Sequence, residues 1–77
     1  MIRLNNISRT GDVITCEALL EDCETAIQLS YNIEKMDFAP FAFPAGYEYC
    51  RSHIAHARAF LRDNYEDLPE ATSIHWY

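Results

Sequence analysis

Apolar and polar residues alternate along two stretches in the first half of the chain, residues 12–20 and 25–33. A period of two is typical of strands that bury one face. The acidic segment 21–24 separates the two stretches, so we expect an antiparallel hairpin with a four-residue connection. In that register apolar residues stand opposite each other. The pairs are Ala18 with Ile27, Cys16 with Leu29 and Ile14 with Tyr31.

A shorter alternation over residues 2–8 predicts an earlier strand that pairs with the first of these stretches. A three-residue loop, Arg9–Gly11, keeps apolar residues opposite each other and ends on the glycine that its left-handed last position requires. The resulting pairs are Ile2 with Ala18 and Leu4 with Cys16. This register turns Asn6 inward and Ile7 outward, which a β-bulge near Asn5 would correct.

The second half of the chain has a helical period. Apolar residues recur at spacings of three and four and form one stripe, made by Cys50, Ile54, Ala57 and Leu61. Pro44 lies near the expected start of the helix, and Pro69 prevents its continuation. We therefore expect a helix over about residues 46–65.

The last residues, 72–77, are prone to β structure and form a candidate fourth strand. This strand could run parallel to the third strand through a right-handed crossover, lie beside the first strand, or join a partner chain. The expected fold class is α+β: a three-stranded antiparallel meander, with this candidate fourth strand, and one helix packed on one face, in the order β-β-β-α-(β). The 77 residues are expected to form one small domain.

The loop between the third strand and the helix, residues 36–45, is unusually apolar for a connection. It contains three phenylalanines: Phe38, Phe41 and Phe43. Their rings could fold back and close the open end between sheet and helix, or stand out as a surface for a partner. Trp76 and Tyr77 give the tail a similar character. We predict an interaction surface made by the three rings of this aromatic loop together with the tail.

Composition and charge narrow the function classes. Hydrophobic residues make up 49% of the chain, which is too many for a disordered protein. The longest apolar run is far shorter than the ~20 residues of a membrane span. A formal net charge of −6 disfavours binding to nucleic-acid phosphates. The chain begins without a signal-peptide pattern, and its three cysteines include no CxxC pair. We therefore expect a cytoplasmic protein with free thiols and with no nucleic-acid or membrane partner.

Two constellations on the helix could carry chemistry. Cys50, His53 and His56 are zinc-ligand types, but they spread over about 120° of the helix circumference. We expect no metal there, with Cys50 in the core, His53 at its boundary and His56 facing solvent. A separate stripe of arginines could contact an anion or pair with neighbouring acidic side chains. Its members are Arg51, Arg58 and Arg62.

Nothing in the sequence predicts catalysis, because it has no glycine-rich phosphate loop and no triad that can be placed with geometry. We expect a non-enzymatic protein without a cofactor. The favoured function is a protein-interaction module that homodimerises or binds a protein partner through the aromatic loop and the C-terminal tail. The alternative is an acidic regulator or inhibitor that binds a basic protein, such as a nuclease, a toxin or a DNA-binding protein. Its acidic residues would lie in segments 21–24 and 66–70.

Overall fold

The computed structural model describes residues 1–76 as a five-stranded sheet with one helix packed on one of its faces. All neighbouring strands are antiparallel, in the spatial order β4-β3-β2-β1-β5. The elements are β1 (Ile2–Thr10), β2 (Val13–Leu20), β3 (Ile27–Asn32), β4 (Asp37–Phe38), α1 (Arg51–Asn64) and β5 (Thr72–Ile74). This confirms the predicted α+β class, with the meander and the single helix. Tyr77, which the sequence places in the interaction surface, lies outside the described residues.

The hairpin of β2 and β3 has the predicted register. The observed pairs include Ala18 with Ile27, Cys16 with Leu29 and Ile14 with Tyr31. Every one of these six side chains is buried. The alternation therefore determined the pairing, because a slip of one residue would have turned the whole apolar set to solvent.

The predicted register of the first hairpin is wrong. The observed pairs are Ile2 with Leu20 and Leu4 with Ala18. The connection is a two-residue turn at Gly11 and Asp12 between the paired ends Thr10 and Val13. Gly11 has φ +60°, and a glycine at the first central position suits a type II′ turn. The predicted pairs were counted along the first strand without the extra residue of a bulge. A loop of three residues, one more than the protein has, was then needed to place apolar residues opposite each other.

The β-bulge suggested near Asn5 as a repair of that register is present in the structure. The register between β1 and β2 shifts between Asn5 and Ser8, and Asn6 takes a left-handed φ of +52°. Asparagine tolerates that region better than most residues do. The extra residue turns Ile7 into the core, where its exposed fraction is 8%. The Ile7 N–H donates to the Glu70 carbonyl over 2.9 Å, which ties the bulge to the segment before β5.

Both edges of the sheet differ from the prediction in detail. The sequence left three positions open for the last strand, and the structure places β5 antiparallel beside β1. The strand covers only three of the six residues predicted for it. The two-residue strand β4 was not predicted, because it lies inside the aromatic loop. Edge strands this short offer little backbone for pairing with another chain.

The helix begins five residues later than predicted. Residues 45–50 form turns. The Tyr47 N–H donates to the Pro44 carbonyl and the Cys50 N–H donates to the Tyr47 carbonyl, both over 3.0 Å. Gly46 has φ +86°, which a right-handed helix cannot contain. The predicted stripe is buried against the sheet: Cys50, Ile54, Ala57 and Leu61 are each at most 6% exposed.

Candidate functional site

The aromatic loop packs against the core through a chain of edge-to-face ring contacts. Phe38 lies 5.5 Å from the buried ring of Tyr31, measured between centroids. Phe41 follows at 6.1 Å from Phe38, and Phe43 at 5.3 Å from Phe41. The three phenylalanines are half-buried. The two sequence interpretations of the loop are therefore compatible, since each ring closes the end of the core and also keeps an accessible part.

The accessible parts of these rings form one wall of a cleft of about 340 Å³, and one flank of α1 forms the other wall. The residues that line it are Asp37, Phe38, Phe41, Phe43, Arg51, Ile54, Ala55 and Arg58. On the helix, Arg51, Ala55 and Arg58 are spaced by four and three residues, so their side chains leave the same flank. The lining combines three phenylalanine rings and Ile54 with two guanidinium groups on the helical side.

A single carboxylate oxygen lies at the junction of the two walls. Asp37 Oδ1 accepts a hydrogen bond from the Phe38 N–H over 2.8 Å. The same oxygen lies 3.6 Å from Arg58 Nη1. Both side chains are largely exposed, at 65% for Asp37 and 45% for Arg58. The pair therefore joins the loop to the helix in contact with solvent, where ion pairs are weak.

The predicted arginine stripe divides into two parts. Arg62 does not line the cleft and forms an ion pair with Asp63 at 3.0 Å, which raises the pKa of Arg62 and lowers that of Asp63. Arg58 has the long contact with Asp37. Arg51 makes no ion pair with any other residue of the segment 1–76. Of the two guanidinium groups in the cleft, that of Arg51 is therefore not neutralised and that of Arg58 is weakly neutralised.

Comparison of the chain with models of known families, with curated protein sequences and with solved structures finds no match.

The predicted surface of loop and tail is divided by the helix. Trp76 stacks on His56 with ring centroids 4.1 Å apart, and it meets His53 edge-on at 4.7 Å. At about 100° per residue, His53 and His56 lie on the flank of α1 opposite Arg51 and Arg58. The Trp76 ring is half-buried there and packs against the core cluster. The loop rings and Trp76 thus form two separate patches, one on each side of the helix.

The two helical histidines are less exposed than the sequence predicts. His53 is buried at 7% exposure, and its Nε2 lies 2.5 Å from Glu21 Oε1. His56 was expected in solvent but is half-covered by Trp76. The tail after β5 brings Trp76 against both histidines, and the period of the helix carries no information about the course of the tail. Across the described part of the chain, no group of histidine, cysteine and acidic residues could hold a metal ion.

The cysteines are poor candidates for chemistry. Cys16, Cys23 and Cys50 are all free and buried. Burial raises the pKa of the Cys16 thiol to about 11 and also raises the pKa of Cys50. A thiolate is the reactive form, and such pKa values make it scarce at neutral pH. In residues 1–76 there is also no helix long and apolar enough to cross a membrane.

Asp37 is the site residue that sequence reasoning missed. It is the only charged residue within the aromatic loop, residues 36–45, and that was the available signal. The rings and the arginines were each identified, but as separate features. Their meeting across one cleft depends on how the loop returns to the helix.

Proposed function

We propose that this protein is a non-enzymatic binding module that holds a short segment of a partner protein in the cleft between the aromatic loop and α1. The segment carries an apolar side chain next to a carboxylate. The observation behind this proposal is the cleft itself, in which three phenylalanine rings face Arg51 and Arg58. Apolar rings offer contact area to the partner side chain, and guanidinium groups bind carboxylates with defined geometry.

The charge distribution supports an acidic segment as the occupant. The chain has 12 acidic and 6 basic residues, so most of its surface repels anions. Two of its arginines nevertheless line the cleft, and among the described residues Asp37 is the one acidic side chain that lines it with them. Charges are screened over about 10 Å in 0.1 M salt, so this local pair decides which ligand is attracted at the cleft.

The dimensions support a short segment rather than a folded surface. A volume of about 340 Å³ lies at the small end of the range for ligand sites, roughly 300–1,000 Å³. It has room for one or two side chains. We expect a transient interaction for this reason, since stable interfaces bury far more area. The three free thiols favour a reducing setting, and we propose the cytoplasm.

A selection from a random peptide library tests the proposal, and it does not require the partner to be identified first. Enriched peptides are expected to combine an acidic residue with a neighbouring aromatic or aliphatic residue. Enrichment of basic peptides would overturn the proposal in favour of the acidic regulator, and absence of any enrichment would overturn it outright.

Binding of an enriched peptide is then mapped by NMR on the ¹⁵N-labelled protein. Amide shifts are expected in the loop and the first turns of α1. Arg51→Ala is expected to weaken binding about tenfold, because it removes a charge-assisted contact. Arg62→Ala is the matched control, since it removes the same charge from the same helix outside the cleft. Equal losses in both variants would contradict the assignment. Loop shifts on dilution of the protein alone would instead identify a second copy of the chain as the occupant.

A further inference from the structure

We propose that the Asp37 carboxylate occupies the carboxylate subsite of the cleft, so that the ligand's carboxylate must displace it to reach Arg58. This inference rests on the proposed function, because it concerns the same cleft. It adds that the acidic group of the partner is recognised at one identified position. It also adds that the protein carries its own competitor for that position.

The position is defined by two donors that converge on one oxygen. Asp37 Oδ1 accepts the Phe38 N–H over 2.8 Å and faces Arg58 Nη1 at 3.6 Å. A backbone N–H together with a guanidinium group is a suitable donor set for a carboxylate. Asp37 therefore shows which chemical group the subsite accepts.

The Phe38 N–H is available to a ligand because of the pairing of β4. The neighbouring Ala39 N–H donates to the Ser30 carbonyl of β3 over 2.8 Å. Consecutive N–H groups of a strand point to opposite sides, so the Phe38 N–H faces away from β3. No strand of the described chain lies beyond β4 on that side. An approaching ligand therefore meets this donor at the open edge of the sheet.

The Asp37 side chain can leave the position easily. Its contact with Arg58 is long, and both groups are largely exposed, so the pair contributes little to stability. Without a ligand, the Asp37 carboxylate weakly neutralises Arg58 and accepts the hydrogen bond of the Phe38 N–H. With a ligand, the incoming carboxylate takes over both contacts while the apolar side chain fills the space between the rings. The affinity is reduced by the fraction of molecules in which Asp37 holds the subsite.

Asp37→Asn tests the part of this exchange that involves Arg58. The amide oxygen can still accept the Phe38 N–H, so the variant removes only the charge that competes for Arg58. The affinity for an acidic peptide from the library is expected to rise about three- to tenfold, measured by fluorescence anisotropy with a labelled peptide. Asp63→Asn is the matched control, because it removes the same charge beside Arg62 outside the cleft. Its expected effect is a change of less than about twofold, from net charge alone.

Two peptides identify whether the carboxylate comes from a side chain or from the C-terminus of the ligand. One peptide is amidated and keeps its acidic side chain. The other has a free C-terminal carboxylate and glutamine in place of the acidic residue. The peptide whose affinity still rises in Asp37→Asn carries the carboxylate that enters the subsite. A gain retained by neither peptide contradicts the inference.

The outcomes separate the two proposals. If the unmodified protein binds no acidic peptide, the proposed function fails. If it binds one but Asp37→Asn gives no more gain than Asp63→Asn, only the present inference fails. A readout on the unmodified protein guards against an altered fold in the variant. The Phe38 amide and the Arg58 Nε–H signals are expected to be among those that shift most on binding, and unchanged signals for both would also overturn the inference.

Discussion

Removal of the Tyr31 hydroxyl is expected to stabilise the protein. Tyr31 is 1% exposed, and its hydroxyl oxygen has no hydrogen-bond partner within residues 1–76. A buried polar group that stays unpaired costs about 1–3 kcal/mol. The ring itself packs edge-on against Phe38, and that contact survives in Tyr31→Phe. The substitution therefore removes the unfavourable group and keeps the favourable contact.

The expected gain in the free energy of unfolding is about 1 kcal/mol, at the lower end of that range. Urea unfolding followed by circular dichroism measures it. With a slope of about 1 kcal/mol per molar for a chain this small, the midpoint should rise by about 1 M. In a thermal scan the same gain corresponds to roughly 4–8 °C.

The pH dependence gives a second test with a defined sign. Burial raises the pKa of Tyr31 above its ordinary value of 10.0. Above pH 10 the unfolded chain loses this proton and the folded protein keeps it, so folding loses stability as the pH rises. Phenylalanine does not titrate, and the advantage of Tyr31→Phe should therefore grow above pH 10.

Tyr47→Phe provides the matched control. The Tyr47 hydroxyl donates to Asp22 Oδ1 over 2.9 Å, so the same atom is removed from a satisfied position. This variant should be less stable than the unmodified protein, not more. If Tyr31→Phe is also destabilised, the hydroxyl makes a favourable interaction and the reasoning about Tyr31 is wrong.

Three further predictions follow from single positions. Gly11→Ala should lower stability by about 1–2 kcal/mol in urea unfolding, because φ +60° strains any L-residue even though the space around it is open; an unchanged midpoint would show that the turn relaxes. Cys16, with a pKa of about 11, should react with a disulfide reagent only as fast as the protein unfolds, and native stability should fall as the pH rises from 9 towards 11; rapid labelling of the folded protein at pH 8 would contradict this. Trp76→Ala should cost about 2 kcal/mol, since the half-buried ring covers His53 and His56. The cleft on the other flank should keep its peptide affinity, whereas a parallel loss of binding would show that the two patches act together.

The local patterns of apolar and polar residues were sufficient to predict some elements of this fold. The alternation around Leu29 determined the second hairpin, and the spacing of Ile54 and Leu61 determined which side of the helix is buried. Both patterns repeat over several residues, so one wrong register would expose a whole apolar set. The bulge near Asn5 could be expected for the same reason, since an uninterrupted strand would have left Ile7 outside.

Other features depend on contacts between residues far apart in sequence. The length of the first turn was predicted wrongly. The bulge in β1 shifts the register between the turn and the start of the strand by one residue, and the alternation alone does not show how this shift is shared between strand and turn. The helix begins at Arg51 rather than at residue 46, because the Gly46 backbone is left-handed and the residues after it form turns. The position of β5 was undetermined because three residues of strand fit several neighbours equally well.

The candidate site shows the same division. The sequence by itself identified the apolar loop and the arginine stripe, because both are departures in composition and spacing that need no tertiary information. Only the tertiary structure brought Phe41, Arg51 and Arg58 around one cleft and separated them from Trp76. It also placed Asp37 between the two walls. Side chains on a loop and on a helix have no common period, so their distance is decided by how the chain packs on the sheet.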